Sequence, residues 1–565
     1  MHDDGRLHTQ QYSRRQALGL AAGIAGSAVV AGCGGGGSAG TPVKKKALQL
    51  PSLLPAAVKL PGEVDSANPN VPPAFTEYPR TPYKTVTEPP GRGGTITSFQ
   101  ITYSAPPPPL SKNRWWQQLN KNLNVDYKPT LSPDANLPEK TQALIAGGDM
   151  PDIFYLNLPK VPAAYTSLLQ GAFTDLTPYL AGDAVKDYPN LGRIPSYVWR
   201  NSAIQGGIWG VPHAEPLVNS GSPMCRMDWL KKLGISLPKN SDDLFALMVA
   251  FAKEDPDGDG RANTWAMATV NSGDCQFILS MYHVPNNWKL NSAGSLTKDI
   301  ETDEYEAVLE YVNKLWKAGA FHPNSAGNTW EQKQAIWYNG QLGLNGGNIP
   351  AGMGDRSFNA MKGVKNIFTD VLPLVPPGKD GGNANFYQTS GTFGIFCIPA
   401  KLSKNKDKVK ELLRIMNYFA APFGSAEQTF LAYGIEGWNF SYKNGIPTSS
   451  SNATRQAEMA GNYINSPREI ELYVPGPPNQ SKETQDYLTQ TTANSIPDPT
   501  INLVSQTQVS KGPALDQMAT DYFTGIATGR KPLSAIKEWR QQWSQQGGEQ
   551  IRKEYEQALH KNGGK

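Results

Sequence analysis

The sequence is poor in charge, poor in cysteine and without a long apolar run. Charged residues make up 18% of the 565-residue chain and hydrophobic residues 39%, both low for a cytosolic globular protein. Lys and Arg exceed Asp and Glu by 53 − 49 = 4. No dense basic block stands out, so the electrostatic footprint of a nucleic-acid binder is missing. There are four cysteines, and no CxxC or Cys/His spacing points to zinc. Apart from Cys33 only Cys225, Cys275 and Cys397 remain. They allow at most one disulfide, and three buried inert thiols are the simpler expectation. Walker and HExxH motifs are absent as well. A carboxylate pair for glycoside hydrolysis has no such signature, so a secreted glycosidase or lyase stays open as a rival reading.

What fills the chain instead is Gly (55), Pro (46) and aromatic residues, including 13 Trp and 23 Tyr. The length exceeds what one hydrophobic core of roughly 250–300 residues supports. The composition has core-forming residues in plenty and many turns, which excludes a fibrous or wholly disordered chain.

Residues 1–32 read as an export signal. Arg14-Arg15 precede an uncharged stretch, Ala17 to Gly32, too short for a spanning helix and of signal-peptide size. The twin arginine points to the Tat route, although Ala17 stands where Phe is usual. Val30-Ala31-Gly32-Cys33 has the form of a lipobox. Cys33 is then the lipidated first residue of the mature chain, anchored to the outer face of the cell membrane. Residues 33–93 read as a Gly/Pro-rich tether. The second half of this segment, with Phe75, Tyr78 and Tyr83, has the aromatic content to lie along the body as a strap.

From Gly94 onward strands and helices alternate. Thr95–Tyr103 alternates as a strand, a helix runs through Trp115, Trp116 and Leu119, and Val125–Lys128 is strand-like. A helix over Glu139–Ala146 then leads to a buried strand ending at Tyr155. That order belongs to a mainly parallel α/β sheet. Apolar stripes at helical spacing cover Tyr305–Trp316 and Val409–Phe419, Ser241 is placed to cap a helix, and a closing helix carries Ile536 to Leu559. Asp255-Pro-Asp-Gly-Asp-Gly-Arg-Ala-Asn263 puts Asp255, Asp257 and Asp259 at positions 1, 3 and 5 of a calcium loop. Arg261 offers its carbonyl at 7 and Asn263 stands at 9. Three crowded carboxylates call for a cation. Ala266 at position 12 departs from an EF-hand, so a structural Ca2+ needs another closing oxygen, from Thr264 or a distant group.

Several segments together resemble the extracytoplasmic solute-binding lipoproteins of ABC importers, family 1, related to maltose- and alginate-binding proteins. They are Gly148–Phe154, Ile208–Pro212, Met224–Gly234, Gly434–Trp438 and the tail Gly525–Leu559, and the resemblance spans roughly 94–565. It implies a two-lobed α/β periplasmic-binding-protein-like fold with a hinged cleft. One lobe takes 94–213 plus 387–430, and the other takes 214–386 plus 431–565. Related alginate-binding proteins carry a similar calcium loop. The resemblance places Trp209 and Trp438 in cleft segments. Sugars stack on such rings, and Trp330, in a Gly/Asn/Thr stretch, is a third candidate. Asp152, His213, Glu215, Arg226 and Tyr387 are candidate polar contacts, although Arg226 can equally pair with Asp228. The expected function is a monomeric, lipid-anchored receptor that binds a carbohydrate, most simply an oligosaccharide, and hands it to ABC permease subunits. It is expected to be no enzyme. A peptide-binding receptor on the same fold is the second alternative.

Overall fold

The computed structural model describes residues 48–103, 105–218, 221–346, 371–460, 471–474 and 479–561. The signal segment, the lipobox with Cys33 and the first part of the tether lie outside the described residues. Among the described residues no helix is long and apolar enough to cross a membrane.

The chain enters as an extended strap. Pro51 bridges to Gly182 and the Leu54 amide donates to Gly192 O. Two short strands follow, β1 (Glu63–Val64) and β2 (Ala74–Phe75). The strap then runs back over the body, where the Thr85 and Val86 amides donate to the Glu427 carboxylate and Arg414 Nε donates to Pro90 O.

β3 (Thr95–Thr102), β4 (Asp126–Pro133) and β5 (Ile153–Leu156) run parallel, as the alternating sequence foretold. The crossover helix Arg114–Leu123 starts where the Asn113 side chain accepts from the Trp116 amide and stops at left-handed Asn124. It buries Trp115, Leu119 and Leu123 against the sheet. After β6 (Val211–Ala214) the chain crosses to a second body. There β7 (Met224–Arg226) precedes the helix Ser241–Lys253, and the hairpin of β8 (Trp288–Leu290) and β9 (Leu296–Lys298) precedes the helices Asp303–Lys317 and Trp330–Tyr338. β10 (Leu344–Asn345) and β11 (Val371–Pro373) flank β7 antiparallel. Past β12 (Phe386–Tyr387), β13 (Thr392–Cys397) returns and inserts antiparallel between β5 and β6. The resulting sheet has the order β4-β3-β5-β13-β6.

Helices Lys406–Phe419 and Ala426–Tyr433 and the hairpin of β14 (Phe440–Lys443) and β15 (Ile446–Ser449) come next. β16 (Leu472–Tyr473) joins β2, and β17 (Ser495–Ile496) joins β12. Helices over Gln506–Ala527, Ala535–Trp543 and Glu549–Lys561 finish the second body.

Two large hydrophobic clusters follow this division. One holds Phe99, Trp115, Phe154, Val211, Phe396 and Leu412. The other holds Trp229, Phe251, Phe277, Val312, Phe523 and Trp539. Burial of apolar surface at roughly 25 cal/mol per Å² makes these clusters the main source of stability.

Three local expectations change. Asn240, not Ser241, caps its helix, accepting from the Asp243 amide. The closing helix breaks at Gly547, whose φ of 141° no side-chain-bearing residue adopts easily. Residues 435–458, expected with the second lobe, sit on the first. Buried Glu458 accepts from the Trp115 amide, and its own carbonyl accepts from Asn113. A buried carboxylate holds its place where donors converge, and here Trp438 Nε1 and Asn439 Nδ2 join the Trp115 amide at the start of the helix Arg114–Leu123.

Candidate functional site

In a parallel α/β sheet, ligands bind beyond the carboxyl ends of the strands. β3, β4, β5 and β6 all end at one edge, where β13 begins. That edge gathers Tyr103, Asp134, Asn157, His213, Glu215 and Phe393, with Lys160 just beyond β5.

The Phe393 region is tightly built. Its carbonyl accepts from Tyr155 Oη and from Asn157 Nδ2, each at 2.6 Å. Next to it, Gly394 at φ 145° lies in a bulge of β13, where an added Cβ would meet the Tyr155 ring at 2.8 Å. Glycine there lets the backbone press against Tyr155. Thr392 Oγ1 donates to His213 O at 3.0 Å, Tyr197 Oη donates to Glu215 O at 2.7 Å, and the Glu215 amide donates to Gly391 O at 2.8 Å. His213 and Glu215 are buried, so they form the floor and not the rim. The His213 ring meets Phe393 edge-on at 6.3 Å. Lys160 pairs with Asp134 and lies 5.6 Å from the centre of Phe393. Burial holds the Tyr155 hydroxyl well above its ordinary range, and the nearby Tyr103, Glu215 and Asp134 add to the effect. Tyr155 is therefore a fixed neutral donor.

The rim is aromatic. Tyr103, at the end of β3, is 39% exposed, and Trp330, opening its helix in the second body, is 50% exposed. Their ring centres are 6.5 Å apart, and Tyr103 is 6.4 Å from Phe393. Among the described residues these two are the exposed large aromatics. They come from opposite bodies and meet at an interplanar angle of 48°.

Of the residues singled out from sequence, the structure brings Trp330, His213 and Glu215 to this edge. The others lie elsewhere. Asp152 begins β5, at the opposite end of the sheet, where its carboxylate accepts from the Thr97 amide and hydroxyl at 2.8 Å each. Trp209 precedes β6 at that same far end, half-buried, with Nε1 donating to Ile204 O at 3.0 Å. Arg226 is buried, bonded through Nε to Asp228 at 2.7 Å and stacked over Trp229 at 4.5 Å. Tyr387 is buried in the second cluster, its hydroxyl donating to Val284 O at 2.9 Å. Both faces of Trp438 are taken: Arg114 and Arg455 each lie 3.9 Å from the ring centre, and Nε1 donates to Glu458 at 3.0 Å. Sequence reading passed over Tyr103, Asn157, Lys160 and Phe393. The signal for Tyr103 was its place directly after the first parallel strand.

The acidic loop is separate from this edge. Ligand oxygens of Asp255, Asp257 and Asp259 lie within 4.8 Å of one another. Gly258 and Gly260 amides donate to Asp255, and Asn263 Nδ2 donates to Asp259 at 3.0 Å. The Arg261 amide also donates to Asp259, at 2.8 Å. Asn263 Oδ1 is buried with no hydrogen-bond partner. Burial, the shared hydrogen bond with Asp255 and the charge of Asp259 push Asp257 up, as expected where carboxylates crowd. Ala266 is buried, its amide donating to Ala320 O, so the twelfth position offers no side-chain ligand. The oxygens present, including the orphaned one, fit a hard divalent cation.

Comparison with known proteins places this architecture. Residues 97–419 match the family of bacterial extracellular solute-binding proteins. The polygalacturonan/rhamnogalacturonan-binding protein YtcQ of Bacillus subtilis is 26% identical over 477 residues, 82% of this chain and 91% of its own. The fold matches the alginate-binding protein AlgQ2, solved without calcium ion, with a TM-score of 0.59 at 15% identity, covering 84% of this chain and 99% of that one. It also matches an EF-hand mutant of the ABC-transporter substrate-binding protein FusA of S. pneumoniae in complex with fructo-nystose, with a TM-score of 0.58 at 15% identity, over 83% and 99%. With two cores, strand ends and exposed aromatic rings gathered at one edge, and a family match over more than half its length, the chain belongs to the bacterial extracellular solute-binding proteins.

Proposed function

We propose that this protein is an ABC-importer receptor that binds an oligosaccharide between its two bodies, with Tyr103 and Trp330 as the stacking pair. The observation that carries this reading is the meeting of the two exposed aromatic rings across the bodies, 6.5 Å apart. Sugar rings present C–H faces that lie on aromatic rings, and their hydroxyls need fixed polar partners. Lys160, Asp134 and the floor around His213 and Glu215 supply such partners. The names of YtcQ, a polygalacturonan/rhamnogalacturonan-binding protein, and of the FusA complex with fructo-nystose support the same ligand class.

A sugar touching both bodies favours the closed state by its differential affinity for it. The closed form docks on a permease, one body to each subunit. Cys33 is the proposed lipid anchor that keeps the receptor at the membrane. The oxygens of Asp255, Asp257 and Asp259 with Asn263 Oδ1 would hold Ca2+, which neutralises the loop. The Arg261 carbonyl is the remaining candidate ligand. Calcium here is structural and takes no part in sugar binding.

A glycan-array screen followed by calorimetry tests the reading. Stoichiometric binding of an oligosaccharide, lost in Trp330→Ala, is expected. Multiple turnover of the bound glycan would replace the receptor by a hydrolase or lyase, and tight binding of peptides alone would replace the sugar.

A further inference from the structure

The family match begins at residue 97, yet the strap before it is built into both bodies. β1, β2 and β16 form a three-stranded sheet of two-residue strands. Its registers pair Val64 with Ala74 and Ala74 with Leu472, and pair Glu63 with Phe75 and Phe75 with Tyr473. Side chains alternate across a strand, so the two rows face opposite ways.

Each row meets a different body. Val64, Ala74 and Leu472 pack in a cluster with Met224, Trp337 and Leu342, which belong to the second body. Phe75 and Tyr473 pack with Phe423 and Tyr433 at the ends of first-body helices. Phe75 stacks on Phe423 at 4.4 Å, and Tyr473 lies 5.0 Å from Phe423. Polar bonds fasten both sides. Gln485 Nε2 donates to Val64 O at 2.9 Å and to Pro72 O at 3.1 Å from the helix Gln480–Ala493. On the other side Glu471, buried next to β16, accepts from the Phe423 amide and from Arg193 Nη2 at 3.2 Å. Before and after the sheet the strap is fixed to the first body, at Gly182 and Gly192 and then at Glu427 and Leu123.

We infer that the strap sheet is an interlobe wedge. It is a mechanical link beside the chain crossings, and it sets how far the two bodies separate in the absence of ligand. A sheet two residues long has no core of its own, so its order depends on being held from both sides. Opening beyond the described geometry must strip one of its two faces. The chain outside the family match therefore limits the hinge and is more than a spacer.

This rests on the hinged reading of the proposed function, but its test needs no ligand and so fails or survives separately. Spin labels carried on a ketone-bearing amino acid at Lys121 and Glu304, one on each body, report the interlobe distance in the full-length protein by pulsed electron resonance. Leu472→Ala strips the second-body face, Tyr473→Ala strips the first-body face, and Gln485→Met keeps volume while removing the two hydrogen bonds. Each is expected to widen the ligand-free distance distribution by roughly 2 Å or more, the scale of a hinge rearrangement. Leu309→Ala, a buried truncation within the second cluster, is expected to lower the melting temperature without widening it. Unchanged distributions in Gln485→Met and in whichever truncations fold would overturn the wedge, as would equal widening in Leu309→Ala.

Discussion

Trp330 and Trp438 were equally attractive as sugar platforms, and their surroundings separate them. Trp330 is half exposed, with Tyr103 as its nearest aromatic neighbour. Trp438 has a guanidinium on each face and a carboxylate on its indole nitrogen. A ring whose faces and donor are already satisfied has nothing left for a ligand and stabilises the fold. A ring left bare adds little to stability and is available for binding. The same contrast holds for oxygens: Glu554 is saturated by donors, and Asn263 Oδ1 has none.

The sharpest way to break the contrast is at the exposed pair, Tyr103 and Trp330. Each stacking partner is worth about 1–2 kcal/mol. The double variant Tyr103→Ala/Trp330→Ala is therefore expected to weaken oligosaccharide binding on the order of a hundredfold, with a melting temperature near wild type. Calorimetry and thermal unfolding measure the two effects. Trp438→Ala should do the reverse. Loss of two cation–π contacts and exposure of buried Glu458 should cost about 2 kcal/mol of stability, with affinity per folded molecule kept. A Trp438→Ala protein that melts normally but no longer binds glycan would reverse the assignment.

The acidic loop extends the test to a cation. Calcium at a hundredfold excess over its Kd should stabilise the wild type by about 2.7 kcal/mol, and Asp257→Asn should abolish the shift. A chelator that leaves the wild-type melting curve unmoved would remove calcium from the account.

The smallest effect lies at Glu554. Burial alone would raise its carboxyl, but hydrogen bonds from Ser505, Thr507 and Gln550 hold it at about 2, below the ordinary 4.5. A depressed carboxyl stabilises the fold above its unfolded value, and that contribution is lost as pH falls from 4.5 through about 2. Acid titration of Glu554→Gln should show a shallower loss of stability in that window than wild type.

Alternation and helical spacing made most elements of the first body legible, from Thr95 through Tyr155, because burial against a sheet writes itself as period two or 3.6. Crossing strands and lobes came through the resemblance and not through the pattern. The site was less legible. Trp209 and Asp152 are a few residues from the right strands but at their amino ends, and strand polarity is invisible until partners are known. Arg226 found Asp228 two residues away, a local pairing that sequence proposed and could not decide. Tyr103 and Phe393 were missed because their approach depends on β13 returning to lie beside β5, a long-range pairing with no local signature.

The three thiols remain. Cys225, Cys275 and Cys397 are buried and unpaired in disulfides, and burial pushes each of them far above the ordinary thiol range. The thiolate is the form that oxidants and other thiols attack. Sulfur held this way is chemically silent, so a protein of an extracellular family can carry an odd number of interior cysteines without crosslinking to its neighbours. Any cysteine placed on the described surface would be the reactive thiol there.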